Sequence, residues 1–306
     1  MPTVAMPKDA MPTVALLGTG LLGKAIGHRL LSQGVTLKVW NRSLEKCEPL
    51  LAQGAEPVTA LPEAAQGCDA VISALRDGPV TAAVIAELGD LDGSCCMPMG
   101  TMGISESRQL EAQVLRQKGI YLEAPVLGSK PEALKGMLLV MAGGEASVFE
   151  QQLPLLRMLA ADPKWMGPTG SGAASKLALN QLIASLTHGY SLALRLIQES
   201  GLDVERFMEV LRPSALYAPT VDKKLERMLT GDYTNPNFST SLLRKDLQLF
   251  VREADLAGVN AEALDGLVQL LGRAEGTSLD AGDYSALHAL TTASIRGSTD
   301  GLSAST

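Results

Sequence analysis

The stretch Val14-Ala15-Leu16-Leu17-Gly18-Thr19-Gly20-Leu21-Leu22-Gly23 decides how the first half of this chain folds. Val14 to Leu17 form a short apolar run bounded by glycine, the pattern of a buried strand. After Gly23 the apolar residues Ile26, Leu30 and Leu31 fall on one side of an amphipathic helix. The spacing G-x-G-x-x-G thus stands between a strand and a helix, where it acquires a physical meaning. Gly18 makes the turn, Gly20 lets a pyrophosphate approach the backbone, and Gly23 lets helix and strand pack closely. The helix N-terminus offers N–H groups to the phosphates. Gly18, Thr19, Gly20, Leu21, Leu22 and Gly23 are therefore the first cofactor-binding candidates.

The next strand, 35–40, ends at Asn41-Arg42-Ser43. A site that prefers NAD usually has Asp or Glu here to hold the ribose 2′-hydroxyl. Asn41 is neutral, Arg42 can pair with a 2′-phosphate and stack on adenine, and Ser43 adds a hydroxyl that could also cap the following helix. The three residues point to NADP(H). Strand and helix continue to alternate, with strands at 69–75 and 95–97, helices at 79–88 and 105–118, an extended run at 120–126 and a strand at 138–142. Such alternation predicts a doubly wound parallel sheet with ligand at the carboxyl ends of its strands, where Leu75, Thr101 and the loop Leu127-Gly128-Ser129 lie.

Past Pro168 the pattern becomes helix after helix, so the fold class is α/β: a Rossmann-like doubly wound sheet domain, 11–168, followed by an all-α domain, 169–306. The second half opens on Gly170-Ser171-Gly172-Ala173-Ala174-Ser175-Lys176-Leu177-Ala178-Leu179-Asn180. Lys176 and Asn180 are four residues apart and project from one helical face. The small residues at 170–175 leave room for a cofactor and cleft wall to come close. Apolar neighbours would push a lysine amine toward a useful general acid, although by itself K-x-x-x-N also describes an ordinary surface lysine. Leu179, Leu182, Ile183, Leu186, Tyr190, Leu194 and Ile197 recur at helical spacing, which predicts a long helix buried between other helices or against a second subunit.

Composition limits the alternatives. The chain has 306 residues, 46% hydrophobic and 19% charged, as expected of a globular protein of two domains. A net charge of −7 argues against a general nucleic-acid binder. No apolar run reaches transmembrane length, and the N-terminus lacks the marks of a signal peptide, so the expected location is the cytoplasm. Four cysteines form neither a disulfide framework nor a metal spacing, and no metal is expected. His28, His188 and His288 have no carboxylate or hydroxyl partner at a catalytic spacing. The pentapeptide MPTVA occurs at Met1 and again at Met11, and residues 1–10 read as a tail, as 297–306 read as a frayed end.

Four motifs in order, GTGLLG, NRS, Glu123-Ala124-Pro125-Val126-Leu127-Gly128-Ser129-Lys130 with Pro131-Glu132-Ala133, and GSGAASKLALN, resemble the β-hydroxyacid dehydrogenase family from about residue 13 to 295. The form E-A-P-V-x-G-S-K is most similar to its glyoxylate/succinic semialdehyde reductase branch. The resemblance implies an NADPH-dependent reductase of small aldehyde acids, with Lys176 as general acid and Asn180 orienting the lysine or the carbonyl oxygen. It also implies a substrate pocket of Thr101, Leu127, Gly128, Ser129, Lys176, Phe238 and Asp246, with Lys245 on the cofactor. The pattern F-x(6)-K-D-L supplies Phe238, Lys245 and Asp246, and Gly282-Asp283-Tyr284-Ser285 resembles the family's closing motif. A homodimer or homotetramer through the helical domain is implied as well. One position departs: the family carries Ser where this chain has Leu127, and that serine helps bind the substrate carboxylate. Two further readings stay open. Imine reductases share the architecture but usually carry Asp or Tyr in place of Lys176, and non-catalytic scaffold relatives lose that lysine.

Overall fold

Alternating apolar strands and amphipathic helices order the first half of the computed structural model, which describes residues 11–292. In chain order it contains β1 (Thr13–Leu17), α1 (Leu21–Ser32), β2 (Thr36–Trp40), α2 (Glu48–Leu51), β3 (Glu56–Pro57), β4 (Ala70–Ser73), α3 (Gly78–Ala86), β5 (Cys95–Pro98) and α4 (Ile104–Arg116). There follow β6 (Ile120–Glu123), β7 (Val126–Leu127), α5 (Lys130–Lys135), β8 (Leu139–Gly144), α6 (Ala146–Leu159) and β9 (Lys164–Gly167). The strands are apolar on both sides because both faces of the sheet are covered. Val14, Leu16, Leu37, Val39, Ile72 and Met97 pack with Ile26 and Leu30 of α1 and Leu155, Leu156 and Leu159 of α6. Their neighbours in sequence, Ala15, Leu17, Val71 and Cys96, pack on the other face with Ile85 of α3 and Leu110 and Val114 of α4.

The sheet runs β3-β2-β1-β4-β5-β6 with every pair parallel, the strand order of a dinucleotide-binding fold. Beyond β6 it differs from the purely parallel expectation. β8 lies antiparallel to both β6 and β7 and parallel to β9. The extended run expected at 120–126 is broken at Ala124-Pro125, where proline has no N–H to give a ladder. Its carbonyl still accepts Met141 N at 3.0 Å, so the chain stays on the sheet while changing partners.

After β9 the chain is helical: α7 (Ser171–Glu199), α8 (Val204–Leu211), α9 (Thr220–Thr230), α10 (Thr240–Leu256), α11 (Asp265–Gly272), α12 (Ser278–Ala281) and α13 (Leu287–Leu290). By its internal contacts the chain forms two compact units. One runs to Gln181 and takes in Asp246–Asn260; the other is Leu182–Lys245 with the chain from Ala261. The first unit holds the later part of α10 by specific contacts. Asn180 Nδ2 donates to Asp246 Oδ2 at 2.6 Å, and Ser105 Oγ donates to Glu253 Oε1 at 3.0 Å.

The second unit has its own core of Leu194, Met208, Leu211, Val221, Leu225 and Met228. Asp203 caps α8, accepting from the N–H groups of Glu205 and Arg206. Inside it Lys224 Nζ donates to both oxygens of fully buried Asp283, at 2.9 and 2.7 Å, and lies 4.5 Å from the Tyr284 ring centroid. Leu182, Leu186, Leu192 and Leu196 of α7 are exposed, which departs from burial within this chain. No described helix is long and apolar enough to cross a membrane. The expected tail at 1–10 and frayed end at 297–306 lie outside the described residues.

Candidate active site

Each glycine of the β1–α1 turn has a different steric reason. Gly18 has φ +95°, and a Cβ there would lie 2.7 Å from the Ala74 carbonyl oxygen. At Gly23 a Cβ would lie 2.0 Å from the Gly18 carbonyl oxygen, so α1 can rest on its own turn only without a side chain. Gly20 is the contrast: nothing lies within 4 Å of the place its Cβ would take. That open cradle beside the start of α1, whose first turn holds no acidic residue, fits the pyrophosphate of a dinucleotide. The neighbouring turns close up against it, since a Cβ on Gly100 would lie 2.4 Å from the Leu75 carbonyl oxygen. Leu75 and Thr101, both half-buried, therefore stand beside the turn at the carboxyl edge of the sheet.

The strand β2 is tied to this turn by Gly18 N donating to Trp40 O at 2.8 Å and Thr19 N donating to Asn41 Oδ1 at 3.2 Å. Asn41 Nδ2 in turn donates to Ser43 O at 2.9 Å. Thr19 is fully buried, its hydroxyl 3.7 Å from Cys47 Sγ. The Thr19 side chain is thus committed inside the protein, and the half-buried Asn41 amide ties the two loops together. Burial pushes the Cys47 thiol up, as it does for Cys95 and Cys96, so these thiols are packing groups. Arg42 projects into solvent from the end of β2, and Ser43, half-buried, precedes a single helical turn without capping it through its side chain.

The start of α7 is held by protein at Gly170, Gly172 and Ala173. Glu123, the last residue of β6, is 1% exposed. Its Oε1 accepts the N–H groups of Gly170 at 2.9 Å, Gly172 at 2.7 Å and Ala173 at 3.2 Å. Its Oε2 accepts the Ser107 hydroxyl, which also lies 2.8 Å from the Tyr121 hydroxyl. Gly172 lacks a side chain because a Cβ would lie 2.4 Å from the Met141 carbonyl oxygen of β8, and Gly170 has φ +100° against Ile104 and Arg108 of α4. Thr169 Oγ1 donates to Glu111 Oε1 at 2.6 Å, completing the seat on α4.

Lys176 follows about one turn after Gly172 and is half-buried. Asn180, one turn further, is 1% exposed and points its Nδ2 at buried Asp246, while its Oδ1 is buried without a hydrogen-bond partner among the described residues. The structure therefore brings Lys176, Asn180 and Asp246 together in one unit with the glycine turn. In the β7–α5 loop the donors of Ser129 are taken up within the protein. Leu127 is half-buried and pairs with Leu139, Gly128 has φ +127°, and both the N–H and the hydroxyl of Ser129 donate to Glu132 Oε2, at 2.8 and 2.7 Å. Phe238 and Lys245 belong to the second unit, where Phe238 lies 5.9 Å from Tyr284 between ring centroids.

Sequence reasoning had no role for Glu123, Ser107 or Thr169. The one available signal was an acidic residue at the end of an apolar strand, which a buried carboxylate occupies only where donors are waiting.

Residues 13–167 match the family of NAD-binding domains of 6-phosphogluconate dehydrogenase, and residues 170–291 match the NAD-binding family of NADP-dependent 3-hydroxyisobutyrate dehydrogenase. The chain is 28% identical over 279 residues to glyoxylate/succinic semialdehyde reductase 1 of Arabidopsis thaliana, covering 90% of this chain and 96% of that protein. Among solved structures it is similar to the 3-hydroxyisobutyrate dehydrogenase of Mycobacterium tuberculosis with L-serine, with a TM-score of 0.83 at 23% identity over 93% of this chain and 100% of that one. It also shares its fold with an imine reductase from Pseudomonas sp., with a TM-score of 0.61 at 20% identity over 92% of this chain and 100% of that one.

Proposed function

The chain belongs to the β-hydroxyacid dehydrogenase family of NAD(P)-dependent oxidoreductases, and from that premise we propose that it reduces small aldehyde acids of the glyoxylate and succinic semialdehyde type with NADPH. The observation that carries the reading is the placement of Lys176: it stands on a helix whose start is fastened to the carboxyl edge of the sheet, the edge that also bears the Gly18–Gly23 turn. Its cofactor is NADP(H), which supplies a hydride when bound. Gly20 and the start of α1 receive the pyrophosphate, and Arg42 recognises the 2′-phosphate by a charge-assisted pair. Lys176 polarises the carbonyl and donates a proton to its oxygen as negative charge develops there. Asp246 fixes the Asn180 amide, and Asn180, one turn from Lys176, orients the lysine or the carbonyl oxygen. Thr101 and Gly128 complete the part of the site that the first unit carries in this reading.

Replacing Lys176 with Ala should lower kcat by about 10²–10⁴-fold while NADPH still binds, measured by steady-state rates and cofactor fluorescence titration. Turnover close to wild type would sink the mechanism. Leu127 favours a second reading, reduction of a C=N bond, because an apolar residue stands where a carboxylate-binding serine was expected. A panel of glyoxylate, succinic semialdehyde and a cyclic imine, each with NADPH and NADH, separates the two. The exposed leucines of α7 support a homodimer or homotetramer, which analytical ultracentrifugation would check.

A further inference from the structure

We propose that Glu123 is a positioning residue for this reduction: a buried carboxylate clamp that sets the start of α7 and, through it, the place of Lys176. The inference rests on the reading of Lys176 as proton donor.

The first N–H groups of a helix have no acceptor within the helix, and an adjacent residue usually supplies one from its side chain. Here the residue preceding α7 is Gly170, which has no side chain to offer. Oε1 of Glu123 takes that place, collecting three backbone N–H groups at 2.7–3.2 Å from a strand 47 residues earlier in the chain. A cap from the same segment would satisfy the helix and leave it free to tilt. A cap from β6 fixes its depth and rotation relative to the sheet. Burying a carboxylate is costly unless it is hydrogen-bonded, and it is tolerated here because three N–H groups, the positive end of a helix and the Ser107 hydroxyl surround it.

The surroundings are shaped to this one group. A Cβ on Gly143 would lie 2.1 Å from Glu123 Oε1, and one on Gly172 3.1 Å from it. Gly172 and Lys176 are four residues apart and therefore share a helical face. A displacement at Gly172 passes to Lys176 through a single turn of hydrogen-bonded backbone. The Gly18–Gly23 turn is held by separate contacts to Trp40, Asn41 and Ala74, so loss of the clamp should reach the proton donor before it reaches cofactor binding.

The test compares Glu123→Gln, Glu123→Asp and Glu123→Ala. Gln can leave its amide oxygen in the position of Oε1 and donate its NH₂ to Ser107, so it should hold kcat near wild type. Asp is one methylene shorter and Ala has no acceptor; both should lower kcat by about ten- to a hundredfold, with the NADPH dissociation constant changed by less than about threefold. Amide hydrogen exchange at Gly172 and Ala173 should quicken in Asp and Ala and stay slow in Gln. This measurement needs no substrate, so it judges the clamp even if the wild type reduces none of the proposed carbonyls. Wild-type kcat and unchanged exchange in Glu123→Asp would overturn the proposal. So would a joint fall of kcat, NADPH affinity and thermal midpoint in all three variants, the mark of a residue that only keeps the fold together.

Discussion

Gly20 and Gly23 show how much one missing methyl group can decide. The Cβ position at Gly23 is blocked by backbone, a carbonyl oxygen 2.0 Å away, whereas the one at Gly20 is open. Gly20 has φ −69°, which alanine adopts without strain. Gly20→Ala should therefore fold with an unchanged thermal midpoint and weaken NADPH by about tenfold or more, because the added methyl occupies the space meant for pyrophosphate. Gly23→Ala should lose about 1–3 kcal/mol of stability as α1 is forced off its turn, read from denaturant unfolding. Arg42 is separable from both. Arg42→Ala should weaken NADPH by roughly tenfold while leaving NADH nearly unchanged, since only the former brings the 2′-phosphate.

At the scale of elements the entry to α7 is where sequence and structure part. Gly170, Gly172 and Gly143 are small because β8, α4 and the Glu123 carboxylate press against them. Gly172→Ala should thus destabilise the protein by about 1–3 kcal/mol, since the methyl meets a backbone carbonyl that cannot turn away. It should also lower kcat more than it weakens NADPH, measured on the same preparation by unfolding, rates and titration. The β7–α5 loop gives the complementary lesson. Ser129 looked like a substrate donor, but its hydroxyl and its N–H both go to Glu132, three residues on, in a local cap.

For the whole molecule, stability should depend on pH through buried His288. Burial, with the Arg195 charge adding to it, lowers its pKa to about 4 in the folded state. Above about pH 6.5 the imidazole is neutral in both folded and unfolded chains and has no effect. Below that the unfolded chain takes a proton that the folded one refuses, so stability falls as pH drops from 6.5 toward 4, by on the order of 3 kcal/mol. His188, half-buried, is shifted in the same direction and adds to it. Thermal midpoints of wild type and His288→Gln between pH 7 and 4 should converge in slope only if this linkage is absent; the variant should show the flatter decline. The Lys224–Asp283 pair of the second unit is likewise global in effect. Lys224→Met would strand a buried carboxylate and should cost about 3–5 kcal/mol, measured by unfolding.

The sequence by itself determined what depends on neighbours along the chain. Short apolar runs alternating with helical periodicity, and glycines at 18, 20 and 23 between strand and helix, were enough for the parallel half-sheet and its turn, because backbone sterics act over a few residues. The four-residue spacing put Lys176 and Asn180 on one face for the same reason. Only the tertiary structure decided what approaches the glycines at the start of α7, why Thr19 faces inward, and that Asp246 holds Asn180. A missing side chain says that something comes close without saying what. The groups that come close here, Glu123, Met141 and Asp246, lie roughly 30 to 70 residues away along the chain, and their encounter is set by how the sheet and helices stack, which no local pattern encodes.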